Sequence, residues 1–324
     1  MEIRDEVLDA QERIGYRLRT LYHEHGYRRY RMSKFEEYDL YSRNKDFLFS
    51  DSVITFTDTT GRLMALKPDV TLSIVKNTKD LPGSNQKLYY HENVYRVSSE
   101  AGGFREQTQV GLECMGDVEA GQVGEVLKLA EESLALLSGR HILEISHLDI
   151  LNAFVEAIAT DDEMKENILK CAGEKNLHGI SRICREAGIA EGAETPLRTL
   201  LSLYGETRRV MPGIRALAEE NGCGEFARQL ARAVAVFAGT PAEGKVWIDF
   251  SATGDLKYYN GIAFKGFLDG VPDSVLSGGQ YDKLMKKMGR KDRAIGFAVF
   301  LDRLDRLTEV ESVPGWEEGE MRNA

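Results

Sequence analysis

Residues 150–240 read as almost wholly helical, and strand-like segments stand on both sides of them. Such a chain must either divide into separate domains or carry one sheet around a helical insertion. The second arrangement fits better. Hairpins and strand–strand neighbours dominate the flanking regions, and the alternating βαβ order of a parallel sheet is missing. Ile3, Val7, Ala10, Ile14, Leu18 and Leu21 recur at helical steps, with Gly26 as a fitting stop. Val53–Phe56 and Leu63–Leu66 flank Thr60-Gly61 as a hairpin, and Asp69 is placed to cap a helix running to Asn77. Strands follow at Leu88–Arg96 and, after the Gly102-Gly103 loop, at Glu106–Met115. From Asp117 the pattern turns helical through Val126, Leu129 and Leu136. Strand character returns at Val246–Ser251, Leu256–Phe264 and Ile295–Leu301, with a last helix from Asp302. The expected class is α+β: one antiparallel sheet flanked by helices, with a helical insertion. Residues 1–150 and 241–308 form the discontinuous core, 151–240 the insertion, and 309–324 an acidic tail expected to fray.

Composition narrows the function. A chain of 324 residues buries about 75% of its unfolded surface and needs no metal or disulfide staple. The net charge of −10 repels polyanions, so nucleic acid is not the expected partner. Cys114, Cys171, Cys184 and Cys223 are scattered without metal-ligand spacing, which suits a reducing compartment. The charged start (Glu2, Arg4, Asp5, Glu6) lacks a signal-peptide core, and the longest apolar run, Ala294–Leu301, has eight residues. About 20 are needed to span a bilayer. The expectation is a cytoplasmic protein with no membrane association. No cofactor or metal is expected, since the six histidines lack catalytic spacing and no Walker, G-x-S-x-G or G-x-G-x-x-G element occurs.

The informative stretch is Glu106–Met115. As a strand it places Thr108, Val110, Leu112 and Cys114 on one face, and Gln107, Gln109 and Glu113 on the other with Gly111 between them. The plain reading is a half-solvated strand. The functional one is a polar floor with a gap, since glycine opens room above a sheet. Arg96 can clamp a carboxylate or phosphate, or serve in a structural ion pair. Asp69 can cap a helix, or meet a ligand ammonium with Thr71 beside it. Tyr258 and Tyr259 point oppositely in a regular strand, so without a bulge one reaches a shared pocket and the other is core. Ser277–Asp282 reads as a turn into a helix, a plain connector.

Taken in order, these pieces resemble the catalytic core of the class II aminoacyl-tRNA synthetases, the histidyl enzymes most of all. His25-Gly26-Tyr27 through Phe35-Glu36 resembles their dimer-forming first motif, and Leu66–Thr71 their amino-acid segment. Val94-Tyr95-Arg96 with Gln109–Glu113 resembles the second motif, and Leu256–Gly261 a histidine-specific segment. Gly278–Asp282 resembles the glycine-rich turn before the third motif, itself matched by Gly296-Phe297-Ala298 and Asp302-Arg303-Leu304. The departures are informative. Ser33 replaces the first-motif proline, and Ser98 the second-motif acid. Gly254 and Asp255 stand where the histidyl enzymes carry an arginine–glycine pair, and Lys257 where they carry Asp. Phe300 and Asp302 replace the third motif's glycine and glutamate, while Arg303 remains. Losing a cation where phosphate charge builds removes several kcal/mol of transition-state stabilisation. The chain also ends just after the third motif, so the anticodon-binding domain and a tRNA substrate are not expected.

The resemblance implies a histidine pocket: Asp69, Thr71 and Gln109 on the ammonium, Arg96 on the carboxylate, Glu113 with Tyr258 or Tyr259 on the ring. A histidyl-like core without the activating arginine is similar to the regulatory-subunit family of ATP phosphoribosyltransferase. That family is not itself catalytic. It pairs with a short-form catalytic subunit at the first step of histidine biosynthesis, and histidine feeds back through it. A self-dimer through the core is implied as well. The competing expectation is a tRNA-independent ligase that adenylates an amino acid, kept open by Arg96 and Arg303.

Overall fold

The computed structural model describes residues 7–48, 53–81, 83–98, 103–251 and 258–304. The amino-terminal half runs α1 (Ala10–Glu24), β1 (Arg28–Arg29), β2 (Phe35–Glu37), α2 (Tyr38–Ser42), β3 (Thr55–Thr57), β4 (Leu63–Leu66), α3 (Val70–Asn77), β5 (Gln86–Ser98) and β6 (Gly103–Gly116). Then come α4 (Ala120–Leu137), β7 (His141–His147), α5 (Leu148–Glu156), α6 (Asp162–Gly173), α7 (Leu177–Glu186) and α8 (Thr195–Ser202). β8 (Gly205–Glu206), α9 (Thr207–Glu220), α10 (Gly224–Val234) and β9 (Val246–Ile248) follow. The remaining elements are β10 (Asn260–Leu268), β11 (Leu276–Gln280), α11 (Asp282–Lys287) and β12 (Arg293–Phe300), with a 3-10 turn at Leu301–Leu304.

Nine strands form the main sheet in the order β1-β5-β6-β12-β11-β10-β7-β9-β8, and β2-β4-β3 form a small second sheet. Helices flank the main sheet in the expected α+β arrangement. It is antiparallel through its centre but not throughout: β1 runs parallel to β5, and β7 parallel to β9. Both parallel pairs lie towards the margins, where a long connection rather than a hairpin joins the partners: the small sheet with α2 and α3 between β1 and β5, and the helical region between β7 and β9. The expected hairpin is present as β3–β4, and Asp69 caps α3 by accepting from the Leu72 N–H at 2.8 Å.

Two local readings are corrected. Ser277–Gln280 is not a connector but most of β11, hydrogen-bonded between β10 and β12 and wholly buried. Its glycines serve packing: a Cβ on Gly278 would stand 2.4 Å from Phe297 Cβ and 2.5 Å from the Gly296 carbonyl oxygen. The second is at β7, a strand hidden behind an expected helical pattern, and the short β1, β2 and β8 were not expected as strands either. The expected tail and the segment carrying Gly254, Asp255 and Lys257 lie outside the described residues.

The sheet separates two apolar clusters. One gathers Val110, Leu112, Cys114 and Phe297 with α1 and α4, and runs on without a break to Ile168, Leu200 and Ile214 of the helical region. α1 starts with a capping box (Asp9 and Glu12) and ties to α4 where Tyr22 Oη meets Ser133 Oγ at 3.0 Å. The other cluster is aromatic, with Tyr41, Phe47, Tyr90, Tyr258, Tyr259 and Tyr281 over the opposite face. Among the described residues, no helix is long and apolar enough to cross a membrane. Gly278→Ala is expected to lower the melting temperature by several degrees, because a backbone carbonyl must shift to admit the methyl, an overpacking cost of about 1–3 kcal/mol. Thermal unfolding followed by circular dichroism checks this.

Candidate functional site

β6 alternates as its sequence implies, but its second face is not solvated. Gln109 and Glu113 are 3% and 2% exposed, because the aromatic cluster and α3 close over them. They line a cavity of about 410 Å³, its open mouth included, together with Asp69, Thr71, Arg96, Tyr258 and Tyr259. All seven residues singled out from sequence therefore share one cavity. Tyr90, Ser277, Tyr281, Gly296 and Phe300 also line it and were not anticipated.

Glu113 sits deepest. Its Oε1 accepts from Thr71 Oγ1 at 2.6 Å, and its Oε2 accepts from Tyr281 Oη at 2.7 Å. Burial pushes its carboxyl up from the ordinary 4.5 to about 8, against the lowering pull of these two hydroxyls. Near neutrality it is mostly the neutral acid. Gly296 lies opposite Glu113 in the β6–β12 register, and a Cβ there would fall 1.8 Å from Glu113 Oε2. The carboxyl occupies the room that this glycine leaves.

The other end carries charge. Asp69 caps α3 and faces Arg96, whose Nη2 is 3.8 Å from Asp69 Oδ2 and whose Nε donates to the Pro68 carbonyl at 2.9 Å. Burial raises the Asp69 carboxyl, opposed first by the Arg96 charge. The two readings of Asp69 are thus not exclusive, since one oxygen caps the helix while the residue lines the cavity. Gln109 lies between the ends, and its buried Nε2 has no hydrogen-bond partner among the described residues. An orphaned buried amide is costly unless something else satisfies it.

Two expectations about shape are corrected. Gly111 does not leave space for a ligand: a Cβ there would meet Tyr90 Oη at 2.5 Å and the Phe297 carbonyl oxygen at 2.3 Å, so the Tyr90 phenol fills the gap. Tyr258 and Tyr259 both line the cavity, because they precede β10 and escape its alternation, and the β10–β11 register shifts just after them. Their rings meet nearly edge-on with centroids 4.8 Å apart. Among the described residues, no cluster of three or more His, Cys, Asp or Glu is gathered that could hold a metal.

An open-mouthed cavity with an acid–guanidinium pair at one end and a buried acid at the other suits a small zwitterion whose side chain bears hydrogen-bonding nitrogens. Known proteins add the following. Residues 2–304 match the family model described as Histidyl-tRNA synthetase. A relative from Caldanaerobacter subterraneus, named ATP phosphoribosyltransferase regulatory subunit, is 28% identical over 96% of this chain and 82% of its own length. Among solved structures, an ATP phosphoribosyltransferase regulatory subunit/histidyl-tRNA synthetase from Bacillus halodurans matches with a TM-score of 0.78 at 24% identity, covering 91% of this chain and 78% of that one. An ATP phosphoribosyl transferase (HisG:HisZ) complex from Thermotoga maritima matches with a TM-score of 0.67 at 19% identity, covering 90% of this chain and 97% of that one. At these identities the two structures speak for the fold alone.

Because the folded-state pKa of Glu113 is raised, the stability it contributes is complete below about 4.5 and is lost as pH rises towards about 8. Glu113→Gln is therefore expected to lose less stability than the parent between pH 5 and pH 8. Urea unfolding of both proteins at the two pH values checks it, and parallel curves would mean that Glu113 is already ionised at pH 5.

Proposed function

The chain belongs to the histidyl-tRNA synthetase family, and from that premise we propose that it is a regulatory subunit of ATP phosphoribosyltransferase that binds L-histidine in the cavity beside Glu113. The names of the curated relatives support the regulatory role, and the chemistry of the cavity supports the effector. One observation carries the second part. Glu113 is held protonated near neutrality by burial, and it can donate that proton to an acceptor inside the cavity in place of one of the two hydroxyls, Thr71 Oγ1 and Tyr281 Oη, that lie within hydrogen-bond distance of it. The unprotonated nitrogen of an imidazole is such an acceptor. Asp69 and Thr71 would receive the ammonium with the Gln109 carbonyl, Arg96 the carboxylate, and the Tyr258–Tyr259 pair would wall the ring.

Feedback would follow from linkage. Histidine binds one arrangement of the complex better than another and shifts the population towards it. A coupling of about 1–3 kcal/mol gives roughly 5–150-fold control. The partner is a short-form catalytic subunit, and phosphoribosyl transfer belongs to it. Self-association through the first-motif region is supported by Phe35 and Phe56, which are exposed on the small sheet and stack edge-on at 5.6 Å.

The test is co-purification with a short-form ATP phosphoribosyltransferase, assayed with and without histidine. Activity should depend on this chain and fall when histidine is added. Arg96→Ala should weaken the histidine response tenfold or more, by loss of about 1.5–3 kcal/mol of charge-assisted bonding, and Glu113→Gln should weaken it less, by about 0.5–1.5 kcal/mol for a neutral hydrogen bond, while the complex still assembles. No heat with histidine, alone or in the complex, would sink the effector role. Histidine-dependent exchange between pyrophosphate and ATP by the isolated protein would replace the regulatory reading with an adenylating ligase.

A further inference from the structure

Arg96 lines the cavity, whereas a second guanidinium, Arg303, does not. Arg303 lies behind Phe300, its Cζ 4.3 Å from the centre of the Phe300 ring. Its Nη1 donates to the Ser274 carbonyl oxygen and lies 3.3 Å from Ser274 Oγ. Phe300 itself is fixed by the sheet. It stands opposite Gln109 on β6, its N–H donates to the Val275 carbonyl at 2.9 Å, and its side chain lines the cavity. The turn that carries Arg303 is tied down as well, because Asp302 Oδ1 accepts from the Thr108 N–H at 2.8 Å. A guanidinium face on an aromatic ring is attractive, and its weak hydration makes the buried arrangement tolerable.

The consequence is a cavity in which the cation of Arg96 faces the buried carboxyl of Asp69, with a second cation screened by an apolar ring. A carboxylate carries one charge, which a single guanidinium satisfies with two parallel N–H donors. A di- or triphosphate carries several charges and loses most of its hydration on entry, so it needs more than one cation to offset that cost. We infer that Phe300 is the specificity-determining residue of this site, covering the Arg303 guanidinium so that the cavity accepts a free α-amino acid and refuses nucleotides and other polyphosphates. This inference rests on the amino-acid reading above and adds the residue that sets its limit.

Calorimetric titration of the full-length chain with inorganic pyrophosphate and with ATP tests it. The parent protein should bind neither at millimolar concentration. Phe300→Ala, its fold verified by circular dichroism, should gain affinity for both by about tenfold or more, the scale of one exposed charge-assisted contact. Adding Arg303→Met to that variant should erase the gain, which a merely structural role for Phe300 would not produce. Phe300→Leu keeps apolar bulk without the flat face. It should show a smaller gain with the same dependence on Arg303, and it serves where the alanine variant does not fold. Pyrophosphate binding to the parent in competition with histidine would overturn the inference. So would a folded variant that gains nothing, or a gain that survives loss of Arg303. If neither variant folds, the titration of the parent decides alone. A parent that ignores histidine sinks the amino-acid reading instead, and since the pyrophosphate titrations need no histidine, the two failures are told apart.

Discussion

Glu113 is held by three elements that do not touch in sequence: Thr71 from the start of α3, Tyr281 from the end of β11, and the vacancy above Gly296 on β12. Burying an ionisable carboxyl is costly unless its oxygens are satisfied and the charge is suppressed. Both conditions are met here only when α3, β11 and β12 are docked against β6 together. The same residue that defines the chemistry of the cavity therefore reports on the assembly of the sheet around it. Asp69 repeats the arrangement at the other end, where a helix cap and a guanidinium share one carboxylate.

The chain matches the histidyl-tRNA synthetase family model, and two residues next to β12 are engaged within the fold. Arg303 is retained in sequence, yet it spends its hydrogen bonds on Ser274 and its face on Phe300. Asp302 bonds a backbone N–H of β6. Both side chains support the strand and its turn.

Much of this was legible from residue patterns. The alternation on β6 separates Leu112 and Cys114 from Gln109 and Glu113 correctly, and the resemblance to the histidyl enzymes implies the cavity that Asp69, Arg96 and the tyrosines line. What sequence left hidden is what depends on pairing between distant strands. Tyr281 was hidden because Ser277–Gln280 has the composition of a turn, and only its position between β10 and β12 makes it a strand. The gap expected at Gly111 is not open, and that Tyr90 fills it depends on the β5–β6 register, where the two residues are opposite. Gly296 is part of the third-motif match, but nothing in the sequence says that it faces Glu113. Burial of the polar face could not be read either, since α3 and the aromatic cluster arrive from elsewhere in the chain.

Leu112 and Glu113 are consecutive on one backbone, yet they belong to opposite sides of the sheet, and the apolar side is continuous with helices as distant as Ile168 and Ile214. A pleated strand cannot tilt one row of side chains without tilting the other. The pocket therefore shares its calibration with a hydrophobic interior more than fifty residues away in sequence. Exchanges of methyl groups in that interior, far from the cavity, would shift the side chains that line it.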